Sequence, residues 1–164
     1  MSKITGILER IWNGQNLTPQ LLIPALEAQG EELNELFEFA DRVRKEFCGD
    51  TVHIRAILEF SNHCHCDCAY CGLFAGNKTL PRYRMKPQEI IETAKLAAKA
   101  GYRTLVLQSG EDLWYTKELF GEIIRKIKAK TGLILTLSVG ERPFDHYAYW
   151  KECGADRFLI KHET

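Results

Sequence analysis

After Gly49 the chain alternates short β-branched, apolar stretches with longer segments of helical character, and this alternation limits the fold more than any other feature. The strand-like stretches are TVHIRAILEF (51–60), TLVLQ (104–108), LILTLSV (133–139) and RFLIKH (157–162). Between them, PQEIIETAKLAAKAG (87–101), TKELFGEIIRKIKAKTG (116–132) and FDHYAYWKECG (144–154) read as helices. Strands alternating with helices of about ten to fifteen residues build βαβ units on a parallel sheet, so the expected class is α/β. Folds of this kind place their active sites at the carboxyl ends of the strands. Four polar clusters fall there: the cysteines after the first strand, Ser109-Gly110-Glu111-Asp112 after the second, Gly140-Glu141 after the third and His162-Glu163 at the end of the fourth.

The first fifty residues have a different pattern and are expected to form a helical extension (1–50) ahead of the α/β domain (51–164). Thr18-Pro19 reads as an N-cap with proline at the first helical position, leading into QLLIPALEAQG and its terminating glycine. In EELNELFEFADRVRKEF, the spacing of Leu33, Leu36, Phe37, Ala40 and Val43 puts them on one helix face.

Charge narrows the function. Lys plus Arg total 22, as do Asp plus Glu, so no net field favours nucleic acid or an anionic membrane surface. Apolar runs such as Leu133 to Leu135 are too short to span a bilayer, and charges interrupt the apolar runs of MSKITGILERIWNG, unlike a signal peptide. The expected compartment is the cytoplasm, where thiols stay reduced and clustered cysteines bind metal or act in catalysis. Cys48 and Cys153 stand alone and are expected to be small buried hydrophobes.

The stretch SNHCHCDCAYCG (61–72) carries four cysteines and two histidines. Structural zinc sites pair two separated ligand groups, and no second pair follows here, although four ligands so close together could still wrap one zinc. Bacterial ferredoxin spacing, with two residues between successive cysteines, does not match either. Cys64, Cys68 and Cys71 have the spacing CxxxCxxC. Three thiolates on a [4Fe–4S] cube leave one iron open, where the amine and carboxylate of an amino acid could chelate. Cys66 reads as a non-ligand thiol pointing away, and His63 and His65 as residues that pack near the cluster.

CxxxCxxC with Tyr70 before its last cysteine and Gly72 after it resembles the signature of the radical S-adenosylmethionine (SAM) enzymes. VHIRAILEFSNHC, YCGL, RYRM, LVLQSGED, LTLSVGE, GADRF and HET, in that order, further resemble the HydE-type [FeFe]-hydrogenase maturases over essentially the whole chain. The resemblance implies a [4Fe–4S] cluster on Cys64, Cys68 and Cys71, with reductive cleavage of SAM to a 5′-deoxyadenosyl radical. It implies cofactor contacts from Tyr70 and Gly72 on the adenine side, from Gln108, Ser109, Gly110 and Glu111 at the methionyl amine, and from Glu163 at the ribose or methionyl end. Thr136 and Lys161 would be substrate contacts. Lys161 stands where the family tends to have arginine, so the charge is kept and the bidentate fork is lost. The implied partners are a small or organometallic substrate, a ferredoxin or flavodoxin reductant and other hydrogenase maturation proteins, with neither nucleic acid nor membrane. Rival readings are a biotin synthase-like or pyrrolysine-pathway radical enzyme, and a non-catalytic zinc- or cluster-binding module.

A complete (β/α)8 barrel takes about 250 residues. With 164 residues and about four strands, the chain is expected to be the N-terminal half of a radical-SAM (β/α) TIM-type barrel behind a helical segment. Such a half leaves open strand edges and an exposed inner face.

Overall fold

Three helices precede the sheet: α1 (Lys3–Trp12), α2 (Pro19–Leu26) and α3 (Glu31–Cys48). The structure, a computed structural model, describes residues 3–161 and divides into two compact units between His53 and Ile54. Helix α2 starts at the expected proline, but Thr18 caps it through its backbone carbonyl, which accepts from Leu21 N and Leu22 N at 3.0 Å, with no bond from its side chain. The small core of this unit is Ile4, Leu8 and Ala28, with Leu36 and Phe39 packed on it. The inward face of α3 therefore runs through Leu36 and Phe39, not through Phe37 and Ala40, which are exposed. Trp12 meets Phe39 edge-on at 5.9 Å, while Leu33, Leu36 and Val43 of the expected face stay half-buried. Cys48, expected to be buried, ends α3 in solvent, whereas Cys153 is buried as expected.

The second unit is a four-stranded parallel sheet in the order β1-β2-β3-β4. Its elements are β1 (Ala56–Ser61), α4 (Pro87–Lys99), β2 (Thr104–Ser109), α5 (Lys117–Thr131), β3 (Ile134–Ser138), α6 (Phe144–Glu152) and β4 (Arg157–Phe158). Strand order following chain order, with a helix in each crossover, is the progression of a TIM-type barrel. Alternation along the strands separates the two faces. Leu58, Phe60, Leu105, Leu107, Leu135 and Leu137 meet Ile90, Ile91, Phe120, Ile123, Ile124, Ile127 and Trp150 in one core, so the helices cover one face. Burying a side chain such as Phe120 contributes about 1.5–3 kcal/mol. Ile57, Glu59, Val106, Gln108, Thr136 and Ser138 occupy the opposite, inner face.

Two strands are shorter than their apolar stretches. Residues 51–55 have no ladder partner, because β1 pairs with β2 only from Ala56 opposite Leu105. Val52 and Ile54 are consequently exposed. The last strand ends at Phe158 rather than 162, since β3 supplies only Thr136 and Leu137 as partners.

Candidate metal and cofactor site

A register shift between Glu59 and Ser61 ends the first ladder and releases the chain into the cysteine loop. Arginine fastens that loop at both ends. Arg82 Nη1 donates to Asn62 O at 2.6 Å and Leu73 O at 3.0 Å, while Nη2 donates to Phe74 O at 2.8 Å. Asn62 adds Nδ2 to Pro81 O at 2.8 Å and accepts from Tyr83 N at 2.7 Å. Inside the loop, Cys71 N donates to Cys68 O at 3.1 Å and Ala75 N to Cys66 O at 2.8 Å. The loop is thus held by polar bonds that use none of its thiols.

Cys64, Cys68 and Cys71 line one cavity of about 950 Å3 at the carboxyl ends of the strands. All three are half-buried free thiols, as soft donors to an iron–sulfur cluster should be. Gly110 lies against the first of them: a Cβ there would stand 2.8 Å from Cys64 Cβ and collide with the His63 carbonyl oxygen. The donor set and the room made for it fit a cluster held by three cysteines. Cys66, expected to point away, lines the same cavity. Burial first, and then the Glu111 carboxylate and Cys64, push its thiol up to about 12.

Glu111 joins three loops. Its Oε1 accepts from Glu141 N at 3.0 Å, and its backbone oxygen lies 2.9 Å from His65 Nδ1. A Cβ at Gly140, where φ is +75°, would collide with the Glu111 side chain, so glycine here makes room for that carboxylate. Next to it Asp112 is buried, accepting from Arg84 Nε at 2.6 Å, Arg84 Nη2 at 3.0 Å, Ser61 Oγ at 2.6 Å and Trp114 N at 3.2 Å. Burial raises the Asp112 carboxyl, but these donors outweigh it and hold the group below its ordinary value. Burial also pushes the Tyr115 phenol up to about 12, and its hydroxyl donates to Met85 O at 2.6 Å.

The other residues singled out in the sequence are distributed unevenly. Tyr70, Gln108, Ser109, Glu111 and Lys161 line the cavity with the cysteines, Tyr70 being 71% exposed. Gln108 Nε2 donates to Glu59 Oε1 at 3.0 Å. Gly72 does not line it; its carbonyl accepts from Asn77 Nδ2 at 2.9 Å. Thr136 is on the inner face, one alternation below the rim, where Ser138 lines the cavity instead. Glu163 lies outside the described residues. Sequence reasoning placed Asp112 in the polar cluster after β2 but missed Arg82, Arg84 and Ser138 as parts of the site. The RYRM motif contains the two arginines, and the period of β3 would have given the serine.

The Radical SAM superfamily model matches residues 58–164. The chain is 50% identical over 159 residues to the [FeFe] hydrogenase maturase subunit HydE of Thermotoga maritima, covering 96% of this chain and 45% of that protein. It is 32% identical over 159 residues to a 3-methylornithine synthase of Methanosarcina acetivorans, covering 95% and 45%. The crystal structure of methylornithine synthase (PylB) superposes with a TM-score of 0.81 at 28% identity over 94% of this chain and 46% of that one. The [FeFe]-hydrogenase maturase HydG superposes with a TM-score of 0.84 at 22% identity over 96% and 36%, a likeness of fold alone. The chain spans about half the length of the curated relatives it matches.

Proposed function

Because the chain belongs to the Radical SAM superfamily, we propose that it binds a [4Fe–4S] cluster and S-adenosylmethionine and acts in maturation of the [FeFe]-hydrogenase diiron cofactor. The observation that carries this reading is the convergence of Cys64, Cys68 and Cys71 with Ser109, Gly110 and Glu111 on one cavity at the strand ends. The 50% identity to a hydrogenase maturase, against 32% to a 3-methylornithine synthase, supports the maturation role over the pyrrolysine and biotin readings. When bound, the cluster supplies the single electron that cleaves the cofactor's sulfonium to a 5′-deoxyadenosyl radical.

The chain's own residues bind and orient. Cys64, Cys68 and Cys71 hold the cluster, and their loop keeps its shape through Arg82 and Asn62. Glu111 accepts the positively charged methionyl amine, with Glu141 N fixing its other oxygen. Gln108 and Ser109 extend that wall, and Tyr70 approaches the adenosyl part. Lys161, on the cavity wall, and Thr136, one alternation below it, are the substrate contacts of this reading, for a small-molecule or organometallic substrate. A ferredoxin- or flavodoxin-type reductant and the other maturation proteins complete the set of partners. No helix among the described residues is long and apolar enough to cross a membrane.

EPR of the anaerobically reconstituted, reduced chain tests the proposal. The expected result is a [4Fe–4S]⁺ signal that shifts when S-adenosylmethionine is added. A zinc-loaded chain with no cluster signal would refute it.

A further inference from the structure

Beyond the three cluster cysteines, the cavity holds a second donor set. His65, Cys66 and Glu111 bring one ligand atom each within 4.8 Å of one another. A backbone carbonyl only accepts hydrogen bonds, so the 2.9 Å contact between His65 Nδ1 and Glu111 O selects the Nδ1–H tautomer of the neutral, metal-binding ring. Nε2 then presents its lone pair, and it lies 3.9 Å from Cys66 Sγ and 3.7 Å from Glu111 Oε2. Metal-binding histidines are oriented in this way, with one nitrogen fixed on a carbonyl and the other free to ligate. The same carbonyl also accepts from His65 N at 3.3 Å, so ring and backbone are held together. Glu111 is divided similarly: Oε1 is taken by Glu141 N at 3.0 Å, which leaves Oε2 for a monodentate bond.

We propose that His65 Nε2, Cys66 Sγ and Glu111 Oε2 form a mononuclear site for a divalent transition-metal ion of the zinc class. An imidazole–thiolate–carboxylate set suits Zn2+, Co2+ or Fe2+, and the thiolate disfavours Mg2+ and Ca2+. As the metal–sulfur bond forms, the Cys66 thiol releases its proton to solvent. Three protein ligands leave the fourth tetrahedral position to water or a small ligand. The site uses none of the three cluster cysteines and shares only Glu111 with the cofactor reading, so the ion and the methionyl amine would exclude each other at that carboxylate.

The test is an anaerobic Co2+ titration of the full chain carrying C64S, C68S and C71S, a background in which the cluster reading plays no part. The expected result is one Co2+ per chain, with a thiolate-to-cobalt charge-transfer band that C66S abolishes. H65A and E111Q should each weaken binding by about tenfold or more. No binding by the folded triple variant, or a band that survives C66S, would overturn the proposal. If the triple variant does not fold, the natural chain is titrated beside H65A/C66S. Loss of one equivalent then supports the site, and unchanged stoichiometry overturns it.

Discussion

A methyl group at Gly110 would meet two obstacles at once, the His63 carbonyl oxygen and Cys64 Cβ, and both belong to the loop that carries the thiols. Gly110 N also donates to Ser61 O at 3.3 Å, so neither backbone can withdraw without breaking the junction between β1 and β2. Gly110→Ala should cost about 1–3 kcal/mol, as overpacking does, with the strain falling on the cysteine loop. Gly140→Ala strains a left-handed residue by about 1–2 kcal/mol and displaces Glu111 rather than a cysteine. The two variants should therefore fail differently. After anaerobic reconstitution, Gly110→Ala should hold less than about half the iron of the natural chain, whereas Gly140→Ala should load normally. Losing a charge-assisted bond at Glu111 should instead weaken S-adenosylmethionine binding by about tenfold or more. Iron analysis and cofactor titration separate these outcomes, and equal iron loss in both variants would refute the division of roles.

At the level of the elements, two threonines that look alike in sequence behave differently. Thr116 Oγ1 accepts from Leu119 N at 3.2 Å at the start of α5, whereas the Thr18 side chain makes no cap bond at α2. Thr116→Ala should cost about 1 kcal/mol of stability in urea unfolding and Thr18→Ala less than about 0.5 kcal/mol, a difference that equal losses would exclude. Such bonds explain what the sequence could reveal and what it hid. The helices α4, α5 and α6 were legible because period and end signals agree, as at Pro87 and Gly132. The excess length read into 51–55 came from β propensity alone, which cannot say where a partner strand begins. In α3, spacing defined an apolar stripe but could not show that Phe39, outside it, meets Trp12 while Phe37 and Ala40 stay exposed. In the site, the cysteine spacing and QSGED were legible as local motifs. Arg82 was not legible as a clasp, because its partners are backbone carbonyls from Asn62 to Asn77 that carry no sequence signature.

Across the α/β unit as a whole, the connections after β1, β2 and β3 and the segment before α4 meet at Asp112. Its carboxylate takes Ser61 from the end of β1 and Arg84 from the approach to α4, and its carbonyl oxygen accepts from Arg142 Nη2 at 2.9 Å beyond β3. The side chain is 2% exposed, against 36% for Arg84, so removing the arginine leaves a buried carboxylate short of its main partner. Arg84→Ala should thus destabilise the unit by about 3 kcal/mol near neutral pH. The pH dependence follows from the lowered carboxyl. The folded state binds the Asp112 proton less readily than the unfolded chain, whose aspartates titrate near about 3.9. The stabilisation is complete above that value and disappears as pH falls through the lower folded value. Asp156, held low against its own burial by Leu135 N and Lys128, adds a contribution of the same sign. Urea unfolding at about pH 7 and about pH 2 should show a steep loss in the natural chain and a shallower one in Asp112→Asn, which has no proton to gain at that position. Parallel losses in the two proteins would mean that the acid sensitivity lies in other carboxylates and that Asp112 acts through shape alone.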